Sequence, residues 1–488
     1  MISQRVDVLN KLKIAIARRH LSSRDISDEA KYPLEEWIHN QVKKSFKSSS
    51  ELREILGKRR LDEVTRDDIR GYQIYRLRKQ LEYVRANSIY YRTMLKRADI
   101  DPKEIRSFED LTKIPLTEPS EVAKEPFHFL CVSQGKVMRA FTTSGTSGLT
   151  KRIFFTRDDI LRIIDSISAA LKTVGMTEND VLQIMFPTIA SWDPGYMLDG
   201  ACKIAGLHSV IADMLDVDEQ IRIMKESGTT MMIGLTSFIY RVTVLAKDKY
   251  DLRSLGIKAI ILSAEPLSEA MRREIEEAWG CKALSQYGLT EMGLATTVEC
   301  VAQDGLHVND ADFLVEAINS ETLEHVEPRE SGELIITSLN YQATPLIRYR
   351  TYDLSSLIEP PCACGLKTIG KVGKIKGRLD MMRKIGMGEK IFPMLFDEAL
   401  LSVSGVVNYV VFIERSGFRD RLRFRVEFIG DKEEGRRKIL DAVMNIPEIK
   451  TSIESDLLEV PIVEMVDNGS LEFTPKTMSI IDLRNQYN

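Results

Sequence analysis

The chain has 488 residues, 43% hydrophobic and 29% charged, the make-up of an ordinary folded protein with room for about three average domains. Its 68 basic and 72 acidic residues leave a net charge of -4, which offers no electrostatic case for a nucleic-acid or anionic-membrane partner. The N-terminal MISQRVDVLNKLKIAIARRH has no signal-peptide core, and apolar runs such as 403–413 fall short of the roughly 18 residues of a membrane span, so a cytoplasmic location is the default expectation.

Residues 1–95 read as a helical region packed onto a large domain. Apolar side chains recur at helical spacing in Val6-Leu9-Leu12-Ile16 and in Tyr72-Tyr75-Leu77-Leu81-Val84. The stretch 43–70 is charge-rich but mixed in sign, which describes a solvated face better than a basic arm. From about residue 139 the pattern becomes α/β. Candidate strands at 181–186, 230–233, 258–262 and 283–286 alternate with amphipathic stretches at 158–174, 217–227 and 269–279, the order of a largely parallel sheet flanked by helices. GELIITS at 332–338 reads as a further strand. After residue 379 the chain restarts as a small α+β domain, 380–488, with helices near 394–401 and 432–444 and strands at 406–413, 421–429 and 460–466. The large domain is expected to span 96–379.

Between the β-like runs 137–141 and 152–156 lies Thr142-Thr143-Ser144-Gly145-Thr146-Ser147-Gly148-Leu149-Thr150-Lys151. Polyphosphate oxygens need convergent N–H and O–H donors, glycines let backbone approach, and a lysine offsets charge. The loop is not of the GxxxxGK[ST] type. A flexible linker is the alternative, though linkers rarely join two tight β runs in mid-domain.

Five companions come after it in order: Ser263-Ala264-Glu265-Pro266, Tyr287-Gly288-Leu289-Thr290-Glu291, Arg348-Tyr349-Arg350-Thr351-Tyr352-Asp353, Gly377-Arg378-Leu379-Asp380 and Pro475-Lys476-Thr477. Together with the loop they resemble the adenylate-forming superfamily of acyl-CoA ligases, luciferases and peptide-synthetase adenylation domains. Within it the wording SAEPLSEAMRREIEEAWG, YGLTEMG, RYRTYDL, GRLDMM and IFP is similar to the phenylacetate–CoA ligase family, over about residues 72–484.

That resemblance implies an ATP-dependent, AMP-forming ligase that activates a carboxylic acid, aromatic or arylacetic, and passes it to CoA. Thr143, Ser144, Gly145, Thr146, Ser147, Gly148 and Lys151 would hold the β- and γ-phosphates. Ala264, Glu265 and Pro266 would shelve the adenine, with Tyr287 stacking on it and Gly288 beside it. Thr290 would touch phosphate and Glu291 would bind Mg²⁺. Asp353, helped by Arg378, would bind the ribose hydroxyls. Lys476 would be catalytic, stabilising charge at the α-phosphate. Asp380 would be a hinge, although Met381 stands where many relatives have a second aspartate. Gly388 would line the CoA tunnel, with Lys390 where relatives often have asparagine. Trp192 and Tyr196 would face the acyl group, or else belong to the core.

Cys362-Ala363-Cys364-Gly365 is a tight knuckle, and Cys300-x6-His307 supplies a second pair, together a four-ligand set for a closed tetrahedral zinc site. Some relatives carry such a site, which makes the zinc structural; scattered reduced cysteines are the alternative. Cys131, Cys202 and Cys281 read as small buried hydrophobes. The expected partners are the acid, ATP and CoA, with no nucleic acid or membrane, and a homodimer is left open. Two other functions fit the same motifs: adenylyl transfer to a deazaflavin hydroxyl without CoA, and nucleotide binding without catalysis.

Overall fold

The computed structural model describes residues 32–143, 150–187, 194–294, 297–472 and 480–484. They form two compact units. One holds the described residues up to Asp213 with Leu284–Lys374; the other holds Met214–Ala283 with the described residues from Ile375 onward.

In the first unit the described N-terminal residues are helical: Pro33–Ser48, Ser50–Leu56, Arg66–Asn87 and Ile89–Arg97. The third starts at a capping box, in which the Thr65 hydroxyl accepts from the Asp68 amide and the Asp68 carboxylate accepts from the Thr65 amide. Of the periodic set Tyr72-Tyr75-Leu77-Leu81-Val84 it buries all but Tyr75, which is half-buried; the three aliphatic side chains are fully buried, each contributing roughly 1.5–3 kcal/mol. Two buried glutamines on the same helix are satisfied by backbone carbonyls, Gln73 by Asp310 and Phe313 and Gln80 by Tyr341. The set Val6-Leu9-Leu12-Ile16 lies outside the described residues.

The strands Val137–Thr142 and Arg152–Thr156 pair antiparallel as a hairpin. Thr156 then caps the helix Arg157–Thr173 with a second capping box, and the Asp159 carboxylate of that box also accepts from the amides of Gln342 and Ala343. Val181–Met185 and His208–Ile211 pair parallel, as the βα alternation predicts. Gly332–Ser338 differs, being antiparallel to both neighbours, Phe313–Ile318 and Tyr349–Ser355. Thr117 adds an isolated parallel bridge to Tyr349 on the outer side of that last strand.

In the second unit Met231–Leu235 and Ala259–Ser263 pair parallel, with helices Val217–Ser227, Thr236–Ala246 and Glu269–Trp279. The last is capped by Ser268, and the Glu398 carboxylate accepts from the Glu269 and Ala270 amides at 2.6 and 3.0 Å, an anion at a helix N-terminus. C-terminal to residue 400, the long strands Val406–Ser416 and Arg419–Phe428 pair antiparallel, with parallel edge strands Ile480–Asp482 and Ile462–Val466. Arg419–Phe428 alternates half-exposed arginines with buried Asp420, Leu422, Phe424 and Val426, the period-two pattern of a sheet with one wet face. No helix among the described residues is long and apolar enough to cross a membrane.

Candidate active site

The segment expected to hold phosphate lies between the paired strands Val137–Thr142 and Arg152–Thr156. Thr142 pairs with Arg152; beyond it the Thr143 amide donates to the Lys151 carbonyl at 2.9 Å and the Lys151 amide to Thr143 Oγ1 at 3.0 Å. Thr143 and Lys151 are thus tied by one backbone bond and one bond to a side-chain hydroxyl. Ser144, Gly145, Thr146, Ser147 and Gly148 lie outside the described residues.

Lys151 points inward. Its Nζ is 2.9 Å from Glu291 Oε1, both side chains nearly buried, and the Tyr349 hydroxyl donates to that same oxygen at 2.7 Å. Burial alone would push the Glu291 carboxyl up; attraction to Lys151 and the hydrogen bonds from Tyr349 and Lys151 outweigh it and hold the group below the usual range. Glu291 is thus an anion in a dry setting. One or two carboxylates with phosphate oxygens is what a magnesium ion takes, so the donor type fits.

Glu291 sits in the short 3-10 turn Thr290–Met292, and Tyr287 precedes it by four residues. The Tyr287 hydroxyl donates to Asp353 Oδ2 at 2.8 Å. Asp353 and Tyr349 share one strand, Tyr349–Ser355, on its buried side. A bulge aims the aspartate: the register against Gly332–Ser338 slips between Leu354 and Arg350, and Tyr352 takes a φ of 62°, a conformation costly outside glycine. Glu333 pins the bulge by accepting from the Arg350 guanidinium and, at 3.3 Å, from the Tyr352 amide. Gly288 has no room for a side chain, since a Cβ there would stand 1.9 Å from the Leu294 carbonyl oxygen.

Of the residues expected to bind nucleotide, Ala264, Glu265, Pro266 and Arg378 belong to the second unit. Ala264 has a φ of 67°, and Glu265 accepts from the Ser237 amide and hydroxyl at 2.8 and 2.6 Å, which fixes the turn after Ala259–Ser263. Arg378 Nε is 3.1 Å from Asp380 Oδ1, so the expected ribose and hinge residues form an ion pair. Gly388, with a φ of 126°, lies in the tight turn between Arg383–Ile385 and Glu389–Ile391. Tyr196 is exposed near the start of the helix Pro194–Ala205. Trp192 and Lys476 lie outside the described residues.

Cys300, His307, Cys362 and Cys364 come together in the first unit, their ligand atoms all within 4.8 Å of one another. Two thiolates at tetrahedral zinc stand about 3.8 Å apart, and a thiolate and an imidazole nitrogen about 3.6 Å. The Cys300–Cys362 sulfur separation is 3.7 Å and Cys364 Sγ is 3.5 Å from His307 Nε2. The donor set therefore fits a tetrahedral divalent ion. Burial, and then Lys371, lower His307 to about 3, leaving the neutral imidazole that metals bind, and its buried Nδ1 lacks a protein partner. Burial pushes the Cys300 thiol up to about 12; for Cys362 it is outweighed by hydrogen bonds and by Lys371, so that thiol is lowered. Lys371 Nζ lies 3.6 Å from Cys362 Sγ and is anchored on the Asp304 carbonyl at 2.6 Å. Cys131 and Cys202 are buried and Cys281 is half-buried.

Tyr349 and Lys371 are the site residues that the motifs did not single out. Tyr349 lies inside the RYRTYDL motif, but an aromatic at a buried strand position reads as core.

The lysine at the hairpin neck meets a buried acid, and four residues before that acid Tyr287 donates to Asp353 on the strand Tyr349–Ser355. The family model described as AMP-binding enzyme matches residues 72–341, more than half of the chain, and the protein belongs to that family. It is an enzyme of the adenylate-forming class. The chain is 28% identical to the phenylacetate-coenzyme A ligase of Thermus thermophilus over 372 residues, covering 75% of this chain and 83% of the relative. It is 26% identical over 435 residues to the Escherichia coli phenylacetate-coenzyme A ligase, covering 86% and 96%. Among solved structures, 2-hydroxyisobutyryl-CoA ligase in complex with 2-HIB-AMP superposes with a TM-score of 0.75 at 20% identity, over 85% of this chain and 90% of that one, a likeness of fold.

Proposed function

We propose that the protein condenses a carboxylic acid, aromatic or arylacetic, with ATP and transfers the acyl group to CoA. The carboxylate oxygen attacks the α-phosphorus of ATP and pyrophosphate leaves, giving an acyl-adenylate. The CoA sulfur then attacks the acyl carbon, its proton passes to solvent and AMP leaves as the thioester forms. The observation that carries this reading is the joining of three motifs in one unit: Lys151 on Glu291, Glu291 on Tyr349, and Tyr287 on Asp353. The similarity to several phenylacetate-coenzyme A ligases over most of the chain supports the acid class and the CoA acceptor.

In this reading Thr143, Ser144, Gly145, Thr146, Ser147, Gly148 and Lys151 hold the β- and γ-phosphates. Glu291 holds a magnesium ion, which when bound neutralises triphosphate charge. Asp353 accepts from the ribose hydroxyls and trades or shares its bond with Tyr287. Lys476 serves adenylation alone, and the C-terminal domain from residue 380 turns about Asp380 before the thiol attacks. The Cys300, His307, Cys362 and Cys364 set holds a structural zinc.

Removing one charge-stabilising donor costs roughly 10²–10³-fold in rate. Lys476→Ala is therefore expected to lose acid-dependent ATP–pyrophosphate exchange by about that factor. The same variant should convert a supplied acyl-adenylate and CoA to thioester near the wild-type rate. Equal loss in both half-reactions contradicts the assignment. A stable adenylate formed identically with and without CoA assigns the enzyme to adenylyl transfer instead.

A further inference from the structure

The segment 287–291 is tied to the strand Tyr349–Ser355 at both of its ends. Tyr287 meets Asp353 at one end and Glu291 meets Tyr349 at the other, four residues apart on each side. Proposed nucleotide contacts account for Tyr287, Asp353 and Glu291. None of those contacts involves Tyr349.

The backbone around Tyr349 is clamped. Its peptide neighbours bond to Thr117, whose amide donates to the Arg348 carbonyl at 2.9 Å and whose carbonyl accepts from the Arg350 amide at 3.1 Å. Tyr349 is also in register with Ile336 on the other side. The Arg348 side chain is held by Glu316 and donates to the Ile114 carbonyl at 2.7 Å. The tyrosine is 2% exposed. Its hydroxyl is therefore delivered to a fixed point, and that point is Oε1 of the acid proposed to take the cation. Lys151 converges on the same oxygen. Two donors on one oxygen fix the plane of the carboxylate, and the tyrosine does so without bringing a charge that competes with a cation.

We propose that Tyr349 is a positioning residue which orients the Glu291 carboxylate for the divalent ion that accompanies ATP. The inference rests on the adenylate-forming reading above, and the test separates the two. The variant is Tyr349→Phe, which removes one oxygen and keeps the ring. Loss of a hydrogen bond to a charged group is expected to weaken Mn²⁺ binding in the presence of ATP, read by electron paramagnetic resonance without turnover, roughly tenfold. The Mg²⁺ concentration giving half-maximal exchange should rise by the same factor, while the thermal midpoint stays within a few degrees and saturating Mg²⁺ restores the rate. In a Glu291→Gln background the further change Tyr349→Phe should leave Mn²⁺ binding unaltered, because the two residues act as one.

Unchanged metal half-saturation in Tyr349→Phe, or an equal further loss in the Glu291→Gln background, overturns the proposal. So does a loss at every metal concentration together with a collapsed midpoint, which marks Tyr349 as core. Wild-type protein that binds Mn²⁺ with ATP yet exchanges no pyrophosphate with any acid defeats the functional reading and leaves the Tyr349 comparison readable by binding.

Discussion

Gly288 shows how little freedom single residues have around the 287–291 segment. An added methyl would collide with the Leu294 backbone, which no side-chain rotation relieves. Gly288→Ala is expected to reduce exchange at least about tenfold through misplacement of Tyr287 and Glu291, with ATP titrations showing a raised KM. Normal exchange would mean that the segment yields. Asp397 is buried, and burial followed by nearby Glu265 and Glu398 pushes its carboxyl to about 7 against an ordinary 3.8, although the Tyr409 hydroxyl donates to it at 2.6 Å. Between those two values the folded state keeps a proton that the unfolded chain has lost, so stability falls as pH rises through that window. Asp397→Asn should gain up to about 4 kcal/mol over wild type at pH 8, with the gain shrinking toward pH 4, read from denaturant unfolding at both pH values. A pH-independent difference contradicts this. At this scale the motifs singled out Glu291 and Asp353, which the structure brings onto Tyr349 and Tyr287. The sequence was least legible where a polar tip rides on a core ring, as in Tyr349, or where a lysine supports a cysteine from a distant strand, as in Lys371.

Elements that alternate in amphipathic fashion were readable to within a residue or two. Val217–Ser227, Glu269–Trp279 and Lys432–Met444 have the bounds that the sequence predicts. Thr236–Ala246 was missed because it is buried nearly all round and rich in β-branched residues, so it carries no helical stripe. The antiparallel neighbours of Gly332–Ser338 were missed because strand pairing is a long-range property. The Cys/His set depends on such pairing: His307 lies opposite Val298 on one side and Lys371 on the other, which brings it to the knuckle. The segment just after that knuckle anchors the helix Pro33–Ser48, whose Glu35 accepts from the amides of Lys367 and Thr368 at 2.8 and 2.7 Å. Purified protein is therefore expected to carry about one zinc per chain. Chelation or Cys362→Ser should cost on the order of 3 kcal/mol and raise hydrogen exchange across Pro33–Ser48. Metal-free protein of full stability contradicts the zinc assignment.

At the scale of the whole molecule, the class was legible because adenylate formation leaves several ordered, chemically specific motifs along one chain. The two units were not legible in the same way, because the second draws 214–283 and 375–488 from separate parts of the sequence. Contact between distant segments has no local signature. The Thr142–Lys151 loop supported by itself only a polyphosphate site. Its lysine meeting Glu291 joins it to the motifs that make adenylation the economical reading. The most direct test is exchange of labelled pyrophosphate into ATP across a panel of aromatic, arylacetic and aliphatic acids, with AMP and thioester followed with and without CoA. Exchange is predicted to depend on an acid of the aromatic or arylacetic type, with AMP and thioester released together when CoA is added. Absence of acid-dependent exchange across the whole panel would contradict adenylate formation as the activity of this enzyme.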